Sequence, residues 1–181
     1  MHIGILGISY KSAKIGCREQ IVAAYQKLTN KELVQDASWI LLATCARIEI
    51  YFSASDLSVA HSVLLNALRS ELCFDLEHKL YAYFGIDCFL HLARVTSGLD
   101  SVILGESEIQ RQVKGAYQLA SRNKLPHEMH FLFQKALRLG KTIRTQFPFV
   151  EKKLGIDKEL FLLAKCFKLH ASAILFIGYS E

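Results

Sequence analysis

The order of apolar patterns along this chain predicts an α/β fold of the α+β kind: a small sheet of about four strands with packed helices, then a helical subdomain and a linker helix. Three observations carry that expectation. Strand-like and helix-like patterns alternate from Ile3 to Phe84. From Ile86 onward the spacing is helical. The 181 residues are 51% hydrophobic with two prolines, enough to build a core for one large domain or two small ones.

Ile3 to Ile8 is a short apolar run closed by the polar Ser9-Tyr10-Lys11-Ser12, as a buried strand and its loop would be. Arg18 to Leu28 reads as a helix. Trp39 to Ala43 is a second buried strand, and Ile48 to Phe52 alternates with the period of a third, joined to it by Thr44-Cys45-Ala46-Arg47. Leu57, Ala60, Leu64, Leu65, Leu68 and Leu72 recur at helical spacing, and Leu80 to Phe84 is a fourth strand. The next helix is read with Ile86, Phe89, Leu90 and Ala93 inward and Asp87, His91 and Arg94 on its polar face, ending at Ser97-Gly98. A helix from about Glu106 buries Ile109, Val113, Ala116, Tyr117 and Ala120. Another, opened by Pro126, buries Leu132, Ala136, Gly140 and Ile143. Pro148 interrupts the chain, Lys158 to Lys168 reads as a connecting helix, and Ala173 to Ile177 as a strand before a turn at Gly178. A strand without the helix that would cover it implies a chain cut at the entrance to a further domain.

Composition narrows the function classes. The five cysteines, Cys17, Cys45, Cys73, Cys88 and Cys166, are an odd set without a C-x-x-C pair, which argues against a disulfide framework and a structural zinc site. No apolar run approaches the roughly 18 residues of a membrane span, and the start lacks a basic segment, so a cytoplasmic protein without a membrane role is expected. The formal charge of +5 is unevenly spread: between Ile109 and Gln146 lie eight basic residues against Glu128 alone. Such a stretch suits a polyanion, with a solvated helical face as the alternative.

Cys45 stands out because a tight connection between two strands presents it on a rigid scaffold, with Arg47 two residues on. A guanidinium there would favour the thiolate, or grip a substrate carboxylate. Cys17 also has an arginine neighbour, Arg18, so position alone does not decide between a nucleophile and a packing residue. His91, one turn after Asp87, could be a proton donor or a plain surface histidine. Ser101 lies in a loop before Glu108 and Gln112, which stand one turn apart at a helix edge and suit an anionic or amide-bearing ligand. His127 and His130 share a helical face, but no third metal ligand accompanies them, so no metal is expected.

Two runs then carry a resemblance. Leu41 to Tyr51 reads L-L-A-T-C-A-R-I-E-I-Y, and His91 to Glu106 reads H-L-A-R-V-T-S-G-L-D-S-V-I-L-G-E. The first is similar to the S-T-C-N-R-x-E-x-Y signature of glutamyl-tRNA reductases, and the second to that family's H-L-x-R-V-A-S-G-L-D-S-x-V-L-G-E. The resemblance extends from Met1 to about Arg144. It implies a ferredoxin-like sheet within a catalytic domain at 1–147, a linker or spinal-type helix at 148–170, and the first strand of an NADP-binding Rossmann domain at 171–181, where Gly178 would meet the cofactor. It implies that Cys45 attacks the ester of glutamyl-tRNA to give a thioester, which NADPH reduces to glutamate-1-semialdehyde for tetrapyrrole (haem) synthesis. Thr44, Arg47, Ser101, Glu106, Glu108 and Gln112 would contact substrate, His91 would assist protonation, and Lys135, Arg138 and Lys141 would meet the tRNA. The full-length enzyme would be a homodimer that hands its aldehyde to glutamate-1-semialdehyde aminomutase. The present chain would form the thioester or slowly hydrolyse the ester without reducing it, and would dimerise weakly or not at all.

The chain departs from that family at four places. Ala46 replaces an asparagine, Ser107-Glu108 a proline and glutamine, Ser9-Tyr10-Lys11-Ser12 an N-H-K-T run, and Ser180 the second glycine of the dinucleotide fingerprint. Two other classes remain open from the sequence: a tRNA-binding module without chemistry, and a cysteine-dependent hydrolase of small esters.

Overall fold

In a computed structural model, residues 2–28, 37–72, 74, 76 and 78–147 are described. The linker helix and final strand expected at 148–181, Gly178 with them, lie outside the described residues.

The first half follows the order read from the sequence: β1 (Ile3–Ser9), α1 (Ile15–Leu28), β2 (Ser38–Ala43), β3 (Arg47–Ser53), α2 (Leu57–Glu71) and β4 (Leu80–Phe84). All neighbouring strands are antiparallel, in the spatial order β2-β3-β1-β4. That is the expected ferredoxin-like β-α-β-β-α-β arrangement, in which β3 inserts between the two strands of a split β-α-β unit. Asp56 starts α2 by accepting from the Ser58 and Val59 amides at 2.9 and 3.0 Å.

Both faces of the sheet are covered, so every residue of β1 and β3 is buried. One face carries Leu6, Ile8, Ile48, Ile50 and Phe52 against α1 and α2. The other carries Ile3, Ile5, Ile40, Leu42 and Tyr51 against α3 (Gly85–Thr96), α4 (Glu108–Ala120) and α5 (His127–Gln146). The helical second half is therefore the third layer of one sandwich, built on the sheet face that the first two helices leave bare.

The inward face of α3 differs from the sequence reading. Cys88, Leu92, Ala93, Val95 and Thr96 are buried, whereas Ile86 and Leu90 are 61% and 51% exposed. The rotation brings His91 toward the sheet and leaves Asp87 exposed. Ala93 and the partly buried Phe89 belong to both readings, and α3 runs close to α5. A Cβ on Gly140 of α5 would lie 2.7 Å from the Thr96 backbone, and the Thr96 hydroxyl donates to the Ala136 carbonyl at 2.9 Å. After α3, Gly98 takes φ +77 and turns the chain so tightly that its missing Cβ would lie 2.9 Å from Gly105 Cα. The closed loop between these glycines carries Asp100 and Ser101. No helix among the described residues is long and apolar enough to cross a membrane.

Candidate active site

Cys45 is exposed at the tip of the β2–β3 hairpin. Thr44 builds the turn beneath it. The Thr44 amide donates to the Arg47 carbonyl at 2.8 Å, and Thr44 Oγ1 accepts from the Ala46 and Arg47 amides at 3.2 and 3.0 Å. A threonine at this point shapes the turn through its own hydroxyl. The tip is also tied from outside: the Tyr10 amide donates to the Ala46 carbonyl at 2.8 Å, and the Arg18 guanidinium donates to the Cys45 carbonyl. An exposed thiol thus sits on a backbone whose carbonyls and amides are held on several sides.

Below the tip, β3 turns three polar side chains, Arg47, Glu49 and Tyr51, into the layer beneath α3. Arg47 and Glu49 are fully buried. Glu49 is the centre of a cluster: it accepts from Tyr51 Oη at 2.6 Å, Tyr81 Oη at 2.6 Å, His91 Nε2 at 2.7 Å and Arg47 Nη1 at 3.3 Å. Tyr81 reaches it because the strand pairing places Glu49, Gly7 and Tyr81 in one row. At Gly7 the ring of Tyr81 occupies the space a side chain would fill. Arg47 also donates to Asp100 Oδ2 at 2.8 Å and to the Asp100 carbonyl, and Lys11 Nζ lies 2.5 Å from Asp100 Oδ1. The ring of His91 is stacked on Tyr83 at 5.0 Å and tilted against Tyr81 at 5.3 Å.

The charge states follow from these contacts. Burial alone would raise the Glu49 carboxyl, but the hydrogen bond and charge of His91, the charge of Arg47 and the Tyr51 hydroxyl together hold it below the usual carboxylate range. Burial and the nearby Glu49 charge push the Tyr51 and Tyr81 phenols up, so both remain donors. Asp100 is likewise kept low, its burial outweighed by the bonds from Lys11 and Arg47. Burial, reinforced by Glu49, raises the thiol of Cys88 and keeps it protonated, which leaves it a packing residue.

The expected site residues fall into separate groups. Arg47 and His91 meet through Glu49, and the loop holding Ser101 is tied to them through Asp100. Ser101 is half-buried, and its hydroxyl is buried without a hydrogen-bond partner among the described residues. Glu106 is half-buried, with its carbonyl accepting from Arg144 at 3.0 Å. Glu108 forms a surface ion pair with Arg111, and Gln112 is half-buried one turn on. Lys135, Arg138 and Lys141 are all exposed on α5. The carboxylate facing His91 is Glu49 in place of the expected Asp87. Arg47 is paired with two carboxylates of the protein, where the sequence left it either favouring the thiolate or gripping a substrate carboxylate.

Sequence reasoning passed over Glu49, Asp100, Tyr81, Lys11 and Arg18. For Glu49 the signal was only its place in the Leu41 to Tyr51 run, because the alternation of β3 does not show that both faces of the strand are buried.

Comparisons with known proteins bear on this geometry. A sequence model described as glutamyl-tRNAGlu reductase, N-terminal domain, matches residues 6–147. A glutamyl-tRNA reductase of Chlamydia pneumoniae is 38% identical over 189 residues, covering 100% of this chain and 54% of the relative. One from Chlamydia trachomatis serovar D is 41% identical over 186 residues, covering 99% and 53%. The chain thus spans about half the length of these relatives. Among solved structures, glutamyl-tRNA reductase from Methanopyrus kandleri superposes with a TM-score of 0.70 at 29% identity, over 91% of this chain and 40% of that one.

Proposed function

We propose, from the premise that this chain belongs to the family of glutamyl-tRNA reductase N-terminal domains, that its described residues perform the capture half of that enzyme's reaction. Cys45 attacks the carbonyl carbon of the glutamyl ester. A sulfur–carbon bond forms, the ester bond to the terminal ribose breaks, and the proton lost by sulfur ends on the ribose oxygen that leaves. The observation that carries this reading is the pairing of an exposed thiol on a pinned hairpin tip with a buried, charged network that starts two residues on, at the head of β3.

Within that network Glu49 holds His91 by Nε2 and Tyr83 holds its ring, so the imidazole keeps one orientation from which to deliver a proton. Ser101, whose hydroxyl has no hydrogen-bond partner among the described residues, and Gln112 are the groups left to contact the glutamyl moiety, together with Thr44, Glu106 and Glu108 at the rim. Arg47 organises the floor through Glu49 and Asp100. The exposed Lys135, Arg138 and Lys141 offer the charge that a tRNA backbone needs.

NADPH would supply the hydride that turns the thioester into glutamate-1-semialdehyde, the tetrapyrrole precursor. The segment expected to begin its site, Gly178 included, is outside the described residues, and the chemistry assigned to this chain stops at the thioester. The whole enzyme would act as a cytoplasmic homodimer passing the aldehyde to an aminomutase.

The test is cleavage of glutamyl-tRNA by the chain. Cys45→Ser is expected to abolish it, with Cys17→Ser cleaving at the wild-type rate. Ester loss at the uncatalysed rate with wild type and Cys45→Ser alike would leave only a tRNA-binding role. Cleavage of small esters at a rate indifferent to salt, with none of charged tRNA, would favour the hydrolase.

A further inference from the structure

We propose that Arg18 is the positioning residue of the nucleophile, fixing Cys45 by its carbonyl and supplying the cation that negative charge at this residue meets. The inference rests on the reading of Cys45 as the reacting residue. It moves to Arg18 one of the two tasks that sequence spacing left open for Arg47.

The two guanidiniums differ in their partners. Arg47 is neutralised by Glu49 and by Asp100. Arg18 stands in the first turn of α1 and is only 7% exposed. Its side chain folds back along the helix, as helical side chains do, to donate to the Ala13 carbonyl at 2.7 Å, and it reaches across to the Cys45 carbonyl. Both partners are neutral. Among the described residues no carboxylate pairs with Arg18, and its Nε is buried without a hydrogen-bond partner. A buried cation is ordinarily paired, because removing it from water is costly without a counter-ion. Two carbonyl dipoles offset part of that cost. The remainder makes the place beside Arg18 favourable for an anion, and the residue it holds is the one whose sulfur, and whose tetrahedral adduct, turn negative during acyl transfer. The same bond stops the hairpin tip from rotating the thiol away.

The electrostatic part can be read without tRNA. Cys45 is alkylated in the folded chain by iodoacetate, which is anionic, and by iodoacetamide, which is neutral and of similar size. The rates are taken by peptide mass spectrometry. The ratio of the two rates reports the local potential, because features that only change access act on both reagents alike. The ratio at Cys45 is expected to exceed severalfold that of a free peptide of residues 41–51, which keeps Arg47 but lacks Arg18. Arg18→Gln, which keeps an amide donor without charge, should bring the ratio down to the peptide's value, and Arg18→Lys should largely restore it. A folded wild-type ratio equal to the peptide's overturns the proposal, and that comparison needs no variant to fold. A ratio unchanged in Arg18→Gln, or lowered equally in Arg18→Lys, overturns it as well. Because the assay contains no RNA, its failure leaves the capture of the glutamyl group to be judged by the cleavage test.

Discussion

Glu49 decides how the floor of the site is charged. Its carboxylate is fully buried and accepts from two phenols, an imidazole and a guanidinium. Glu49→Gln removes the charge that Arg47 and His91 face while keeping the side chain's shape. Breaking a buried pair from one side costs about 3–5 kcal/mol, and urea titration should find a loss of that order. The pH dependence has a defined sign. A carboxyl held low in the folded protein contributes stability that is complete above the unfolded value of about 4 and is lost as pH falls through the folded value. Glu49 and Asp100 both belong to this class. Wild type should therefore lose stability steeply with acid below about pH 4, and Glu49→Gln should show a shallower slope over the same range. Equal slopes would mean that Glu49 is not ionised in the folded state.

Gly7 is where β1 gives room to the site. The built Cβ lies 2.5 Å from the Tyr81 ring, so Gly7→Ala must displace the phenol that donates to Glu49. Overpacking of this kind costs about 1–3 kcal/mol, measurable as a lowered melting temperature, and Tyr81→Phe in the same background should cost little more because the bond is already broken. The strands were plain in the sequence because short β-branched and aromatic runs stood between helical patterns with their own punctuation, and the order of elements followed from that. The orientation of α3 was not. Ile86, Phe89, Leu90 and Ala93 make an apolar stripe by spacing, but the crossing with α5 at Thr96 and Gly140 turns Cys88, Leu92 and Val95 inward and leaves Ile86 and Leu90 exposed. Periodicity contains no term for that contact. The same limit hid Glu49: alternation along β3 shows which residues share a face, whereas the burial of both faces depends on α3, α4 and α5 returning to the sheet.

Taken as one body, the described chain is a sheet whose one face is closed by α1 and α2 and whose other face holds the polar network under α3. Lys135, Arg138 and Lys141 of α5 are exposed on the layer formed by α3, α4 and α5. Replacing Lys135, Arg138 and Lys141 together by Glu should weaken binding of tRNA and flatten its dependence on salt, with the melting temperature near that of wild type, since all three are exposed. Unchanged affinity would return this stripe to a solvated face. Cys45 and Arg47 could be singled out from the sequence through their place between two strands and the family signature. Which cation serves the thiol and which carboxylate holds His91 could not, because both answers join segments far apart in the chain. The most direct measurement is to mix the wild-type chain with tRNA charged with isotopically labelled glutamate, quench in acid and map the label by peptide mass spectrometry. The label is expected on the peptide containing Cys45, as a thioester released by hydroxylamine; label on the peptide of any other cysteine, or none while the ester is cleaved, contradicts the account.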